Sequence, residues 1–384
     1  MSDQFIDQSP FFTPEQRALA QNVGRFILDE VERREAAATD IDGQFRELMA
    51  MLSEAGLLRY AVAKPGGQLD VRSLCLLRES LAYASPLADI AFVMQGLGTY
   101  ALSIAAPEHV RDFWLSRATS GNSVAALALT EAEAGSDVAN IQTTARLEGD
   151  AYIINGRKKF ISNAGLADFY TVLARTGTRP DGRGELSAFV VSAKMPGFRV
   201  VERTRLIGDH PIGEIEFADC RVPAEDILGE LGDGYGLAMD TMDTFRASVG
   251  AAACGMAGRA LDEAIEYAKT RKQFGKSLSE FQLVQSKLAE MATELDAARL
   301  LVYHAAYCKD TGTNRIPREA SEAKYFATEA AQRIIDGALQ IHGGNGLVHG
   351  HIVERLYRDV RALRIYEGTS EIQKLIIARE LLSA

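Results

Sequence analysis

Near the C-terminus runs Arg364-Ile365-Tyr366-Glu367-Gly368-Thr369-Ser370-Glu371-Ile372-Gln373, and Glu367 is its strongest candidate for a reacting group. A carboxylate set between an aromatic ring and a glycine is poorly solvated on one side and open to close approach on the other. Desolvation disfavours the charged form and raises a carboxylate's pKa. A Glu tuned in this way is a usable general base. Alone the segment decides little, because most Glu residues of helical proteins are solvated surface charges.

Other segments could hold a ligand. Leu127-Ala128-Leu129-Thr130-Glu131-Ala132-Glu133-Ala134-Gly135-Ser136-Asp137 is rich in small residues that let backbone approach a flat molecule, with Thr130 and Ser136 as donors. A plain loop capped by Ser136 and Asp137 reads equally well. In Lys159-Phe160-Ile161-Ser162-Asn163-Ala164, a strand would put Phe160 and Ser162 on one face, fit to stack on a ring and donate to its edge. A strand Phe is more often core. Thr270-Arg271-Lys272-Gln273-Phe274-Gly275-Lys276 closes a helix with three cations, which either complement the helix dipole or bind a pyrophosphate. Gln340-Ile341-His342-Gly343-Gly344-Asn345-Gly346 is a C-cap or a place where backbone meets a ligand. His349 and His351 lack a third ligand nearby in sequence, so no metal site is expected. The glycine-rich run Gly229 to Gly236 lacks phosphate-loop spacing and reads as a hinge.

These segments need elements to position them. Thr13-Pro14-Glu15-Gln16 is a helix start, followed by Leu19, Val23, Phe26, Ile27 and Val31 on one face. Further helices are expected at Phe45–Ala55, Val71–Tyr83 and Ile90–Ile104. From Ala125 to Val222 the period becomes two, with a turn at Glu148-Gly149-Asp150 and a hairpin signal at Asn155-Gly156. Strands follow at Phe169–Leu173, Ser187–Val191, Phe198–Glu202 and Glu214–Phe217. Beyond Tyr235 the chain is helical again, and Val284, Leu288, Met291, Leu295, Ala298 and Val302 form a buried stripe. Strands collected in the middle argue for α+β over a doubly wound sheet. The expected layout is an N-terminal all-α domain (1–124), a middle β-barrel or sandwich-like domain (125–232) and a C-terminal four-helix bundle (233–384).

The 384 residues exceed one compact core, and 47% apolar with 24% charged residues is ordinary for a globular protein. A net charge of −10 argues against nucleic acid, which needs a basic footprint. It does not argue against small anions held by local Arg, Lys or helix N-termini. Four scattered cysteines fit reduced thiols, and the polar, acidic start Met1-Ser2-Asp3-Gln4 has no signal-peptide pattern. Ala247 to Gly258 is the longest small-apolar run and is too short to span a bilayer. The expectation is a cytoplasmic protein without a membrane partner.

In order and spacing, the chain resembles the acyl-CoA dehydrogenase family over essentially its whole length. The matching segments are Ala128–Asp137, Phe160–Ala164, Arg271–Gly275, Gln340–Gly346 and Tyr366–Thr369. The resemblance implies FAD as cofactor, an acyl-CoA substrate, electron-transfer flavoprotein as partner and a homotetramer. It implies that Glu367 takes the α-proton of an acyl thioester while the β-hydrogen leaves as hydride to N5 of FAD. Backbone N–H at the base position and a flavin ribityl hydroxyl would polarise the thioester carbonyl. Leu127, Thr130 and Ser136 would line the flavin, and Phe160 and Ser162 would stack beside it and donate near N5. Arg271, Phe274, Gln282, Gln340, Gly343 and Gly344 would hold FAD, partly that of a neighbouring subunit. Thr369, Ser370 and Glu371 would meet its phosphate-adenosine part. Ser136, Asp243, Arg246, Tyr366 and Gly368 would contact the substrate.

Three departures mark this chain. The family usually has Trp where Phe160 stands. No carboxylate lies immediately before Arg246, where some members carry their base, which favours Glu367 as the only one. The segment Leu206–Gly213 is short and lacks the Arg and Ser often found there, so an acyl-carrier-protein thioester stays open beside CoA. An oxidase, a non-redox relative and a nucleic-acid-binding flavin scaffold are the competing functions; the last calls for a basic face that this acidic chain lacks. The acyl group is not legible, although side chains around Gln95–Tyr100 and Met239–Met242 are expected to set pocket depth.

Overall fold

The computed structural model describes residues 4–37, 40–312 and 315–383. The start Met1–Asp3, read above as polar and acidic, lies outside them. Six helices come first: α1 (Gln4–Gln8), α2 (Pro14–Ala37), α3 (Ile41–Glu54), α4 (Val71–Ala84), α5 (Pro86–Ala105) and α6 (Glu108–Thr119). The strands are β1 (Ala125–Ala128), β2 (Thr144–Glu148), β3 (Ala151–Ser162), β4 (Phe169–Thr178), β5 (Gly184–Ser192), β6 (Phe198–Arg203), β7 (Ile212–Pro223) and β8 (Ile227–Leu228). Then follow α7 (Gly234–Thr270), a small hairpin of β9 (Lys272–Gln273) and β10 (Lys276–Ser277), α8 (Gln282–Asp310), α9 (Pro317–His342), α10 (Ile352–Leu363) and α11 (Ser370–Leu382). The helix–sheet–helix order is the one the periodicity predicts.

Two compact units divide the chain. One joins residues 1–36, 70–89 and 243–384; the other joins 37–69 and 90–242. In the first, α8 packs on α9 and on α4, and α9 also carries α10 and α11. The small-residue run of α7 lets helices approach closely. A Cβ on Gly255 would lie 2.1 Å from the Glu79 carbonyl oxygen of α4, so only glycine fits there. The capping box at the start of α2 is present in both directions: Gln16 N–H donates to Thr13 Oγ1, and Thr13 N–H donates to Gln16 Oε1.

The second unit holds one mixed eight-stranded sheet in the order β6-β7-β3-β2-β4-β5-β8, with β1 parallel to β4. The barrel-like or sandwich-like middle takes this form. Tyr170, Val172, Phe189, Val191, Ile215 and Phe217 belong to its buried core. The β2–β3 turn is Glu148-Gly149-Asp150, as read. Asn155-Gly156 is not a hairpin: β3 runs through it, with a bulge between Ile154 and Gly156 in its pairing with β7. Asn155 is held there by side-chain bonds with Asp219, at 2.9 and 3.0 Å. In the run Gly229–Gly236, Gly232 N–H donates to Ser187 Oγ of β5, and Gly234 opens α7. Helix α5, not the run in α7, is long and apolar enough to cross a membrane. Its mean hydropathy is 1.3, and 89% of that window is buried within the protein, as in a core helix.

Candidate functional site

Glu367 sits in the joint between α10 and α11. The joint is clasped from α9 by Glu329, which takes bonds from Arg364 Nε at 2.9 Å and Ser370 Oγ at 2.6 Å. Thr369 caps α11, its Oγ1 accepting from Ile372 N–H. Both Glu367 (φ 53°) and Gly368 (φ 89°) have left-handed backbone. A non-glycine residue there is strained, and such strain persists only where neighbours over-determine it. Here Gln373 Nε2 donates to the carbonyls of Glu367 (3.2 Å) and Gly368 (3.0 Å), and Lys324 Nζ donates to that of Gly368 at 2.7 Å.

The carboxyl group itself is left unbonded. Glu367 Oε2 is buried and has no hydrogen-bond partner among the described residues. Burial pushes its pKa above the usual carboxylate range, against the opposing pull of Arg78, Lys324 and Arg246. Arg78 is 1% exposed, and its guanidinium grips Asp89 with two bonds of 2.8 Å while Nη1 donates to Ser248. Arg246 bonds Asp243 at 2.5 Å, and Asp243 also accepts from Arg315. The expected substrate contacts Asp243 and Arg246 are therefore paired with each other, while Arg246 Nε stays buried without a partner. Tyr366 and Gly368 are half-buried on either side of Glu367. The Glu367 N–H donates to no group among the described residues, which leaves a donor for an acceptor brought by a ligand.

On the sheet unit, a second group forms where β1 leaves the sheet. Lys159 N–H donates to Thr130 O at 2.9 Å, which lays the Leu127–Ser136 loop along β3 beside Phe160. Beneath it, Lys158 is fully buried and bonds Leu129 O (3.0 Å) and Glu131 Oε1 (2.9 Å). Glu131 also accepts from the N–H groups of Gln142 and Thr143. Burial pushes the Lys158 pKa down to about 8, with Glu131 resisting.

Phe160 and Ser162 flank the buried Ile161 at an irregular point of β3. Pairing with β7 shifts between Lys158 and Ile161, and Phe160 takes φ 55°, which turns it outward to 50% exposure. Ser162 Oγ lies 2.8 Å from His210 Nε2, and burial holds His210 neutral with its pKa lowered to about 4. Leu127 and Thr130 are half-buried and Ser136 is exposed. The Thr130 hydroxyl has no partner among the described residues.

A third group lies at the end of α7. Arg271 joins α7 to β9, the exposed Phe274 sits in the β9–β10 turn, and Gln282 begins α8. Tyr267, one turn before Arg271, stacks on His342 at 4.4 Å and accepts from Asn345 Nδ2. That contact brings Gln340, Gly343 and Gly344 to the same end of the helix. All six ligand candidates are exposed, and no atom lies within 4 Å of a Cβ built on Gly343 or Gly344.

Of the adenosine candidates, Glu371 is exposed and Thr369 half-buried. Ser370 is buried with its hydroxyl on Glu329, so its side chain helps hold the joint. His351 caps α10 through Nδ1, and His349 lies 3.8 Å from Glu354. Sequence reading missed Arg78, Asp89, Lys324 and Gln373. The available signal was a lysine on the alanine stripe of α9 (Ala320, Ala323, Ala327, Ala331) and an arginine inside the apolar run of α4. It also missed His109, Glu225 and Asp226, whose ligand atoms lie within 4.8 Å of one another at the surface.

On the sheet unit, an exposed aromatic beside an unpaired hydroxyl suits a flat ring; on the helical unit, open glycine backbone near cations suits a charged group. Family models for the acyl-CoA dehydrogenase N-terminal, middle and C-terminal domains match residues 13–122, 126–220 and 232–382. A 3-(aryl)acrylate reductase of Clostridium sporogenes is 40% identical over 97% of this chain and 100% of its own. The CarC subunit of the caffeyl-CoA reductase-Etf complex of Acetobacterium woodii is 38% identical over 93% of each. Among solved structures, a glutaryl-coenzyme A dehydrogenase with glutaryl-CoA superposes with a TM-score of 0.90 at 32% identity, covering 97% of this chain and 96% of that one. PigA in complex with FAD gives 0.86 at 28%, covering 96% and 98%. This chain belongs to the acyl-CoA dehydrogenase family.

Proposed function

We propose that this chain is an FAD-dependent acyl-CoA dehydrogenase that desaturates an acyl thioester between the α and β carbons, with Glu367 as the base. The observation that carries the reading is the carboxyl of half-buried Glu367, its Oε2 buried and unbonded and its pKa raised, on a strained joint held by Gln373, Lys324 and Glu329. A base so placed has its lone pair available and is held in one orientation. It takes the α-proton as the C–H bond breaks, and the unpaired N–H of Glu367 is a donor for the thioester oxygen that gains charge. Bound FAD supplies the hydride acceptor for the β-hydrogen. Thr130, Phe160 and Ser162 are the residues for its ring system, and Arg271, Phe274, Gln282, Gln340, Gly343, Gly344 and Glu371 for the rest. Electrons then pass to an electron-transfer flavoprotein, the kind of partner named for the Acetobacterium relative. A homotetramer accounts for the exposed aromatic Phe274, and light scattering of the holoprotein checks it.

A second reading runs the same chemistry backward. Two relatives at 38–40% identity are named as reductases of aryl-substituted acrylates or a caffeyl thioester. The base would then deliver the α-proton.

Replacing Glu367 by Gln tests both. The variant is expected to keep its flavin and fold while losing turnover by about 10³-fold or more, in either direction. Near-native turnover refutes the assignment. Anaerobic titration with saturated and unsaturated acyl-CoA esters of differing length and branching then decides direction and acyl group. Rapid reoxidation in air would make the enzyme an oxidase.

A further inference from the structure

We infer that Lys324 is the positioning residue of the base: from within α9 it holds the Glu367–Gly368 joint and supplies the uncompensated positive charge that keeps the Glu367 carboxyl available as an anion. The inference deepens the reading of Glu367 as base and rests on it.

Lys324 is fully buried on the alanine-rich stripe of α9. Among the described residues, the one hydrogen bond of its ammonium goes to the carbonyl of Gly368, the residue directly after the base. No carboxylate lies within ion-pair distance of it among the described residues. Sealing an ammonium away from water without a counter-ion is expensive. Holding a carbonyl does not require that cost, since a neutral amide donates equally well. The cost becomes intelligible from what faces the carboxyl.

Three cations act on Glu367: Arg78 from α4, Arg246 from α7 and Lys324 from α9. Asp89, in the first turn of α5, opposes them, and Tyr366 adjoins in the same joint. Arg78 is neutralised by its two bonds to Asp89, and Arg246 by Asp243. Among the described residues, Lys324 alone of the three makes no ion pair, so its charge reaches the base undiminished by a partner, while Asp243 is divided between Arg246 and Arg315. The coupling runs both ways. Burial brings Lys324 down to about 8, and Glu367 is the largest influence holding it up, with Glu329 and Glu371 adding and Arg246 opposing.

The test separates charge from clasp. Lys324→Gln keeps a donor for the Gly368 carbonyl without the charge; Lys324→Met removes both. Losing the positive charge raises the base's pKa, so the acid limb of the rate of flavin reduction in single turnover moves to higher pH. The expected displacement is about one unit or more, a loss of about tenfold at the acid end. The high-pH plateau of Lys324→Gln stays within about threefold of the wild type, while that of Lys324→Met falls further. A purely structural lysine would lower the plateau and leave the limb in place, and a limb unmoved in both variants overturns the inference.

A readout free of turnover is the unfolding of wild type, Lys324→Gln, Glu367→Gln and the double variant against pH. The effect of Lys324→Gln is expected to depend on whether residue 367 is ionised, and additivity at every pH also overturns the inference. Coupling without loss of turnover in Glu367→Gln would instead leave the charge pair standing and remove the base.

Discussion

The base joint and the sheet platform solve opposite problems. Around Glu367 the joint is held by internal bonds, from Gln373 and Lys324 to its carbonyls and from Arg364 and Ser370 to Glu329, while the Glu367 carboxyl and N–H have no partner among the described residues. Around Phe160 the outer groups are open and the ionic bonding lies beneath, in Lys158 and Glu131. The first is finished by the fold itself, so its chemistry is set by charges that no ligand supplies. The second is a surface whose exposed ring needs a partner to cover it. Removing the carboxyl at 367 should therefore abolish turnover and leave flavin content intact, the largest effect expected anywhere in the protein. It should also stabilise the fold. A carboxyl with a raised folded pKa costs stability as pH rises through that value, so Glu367→Gln should melt higher than wild type at neutral pH. The difference should vanish below about pH 4.5, which calorimetry across pH would show.

Breaking the platform's buried pair inverts that pattern. Lys158→Met leaves Glu131 buried without its cation and should destabilise by about 3–5 kcal/mol, measured by denaturant unfolding. Because the pair carries the Leu127–Ser136 loop, flavin should be lost with it. If flavin and stability survive, the loop is held without Lys158, by the Glu131 carboxylate on the N–H groups of Gln142 and Thr143 and by Lys159 N–H on Thr130 O.

How far the sequence exposed this contrast depends on the kind of signal. Helix ends with capping chemistry were legible, as at Thr13–Gln16, because cap and partner are three residues apart. The strand period was legible in β4, β5 and β7. Bulges were not. Phe160 and Asn155-Gly156 sit where β3 slips against β7, and that slip depends on a partner strand fifty or more residues away. Glu367 was legible from its neighbours in sequence. The groups that tune it were hidden because Arg78, Asp89, Arg246 and Lys324 meet only when five segments pack. Only the misplaced charges on the apolar stripes of α4 and α9 hinted at them.

The joint's own strain gives a smaller effect. Gly368→Ala would place a Cβ 2.5 Å from Gln373 Nε2 at φ 89°, so the amide must swing away and release both carbonyls it holds. A left-handed, non-glycine residue costs about 1–2 kcal/mol. The expected outcome is a comparable loss in unfolding free energy, with kcat reduced more than flavin affinity. Equal loss of both would mean that the joint is not confined to the base.

The smallest effect concerns pH at the platform, where its sign opposes that at the base. His210 is kept neutral by burial, with a folded pKa of about 4 against an ordinary value near 6.5. Between those values the unfolded chain binds the proton more readily, so its contribution to stability is complete above about pH 6.5 and is lost as pH falls toward 4. His210→Gln, which can still bond the Ser162 hydroxyl, removes that dependence. The melting temperatures of wild type and variant should run parallel above pH 7 and converge or cross as the medium is acidified. In the same window Glu367 moves the other way, its penalty easing as it takes up a proton. Wild-type stability in mild acid is therefore a balance of the two regions. Combining His210→Gln with Glu367→Gln should flatten the profile more than either change alone. Parallel curves for wild type and His210→Gln down to pH 4 would mean that the imidazole is already solvated beside Ser162.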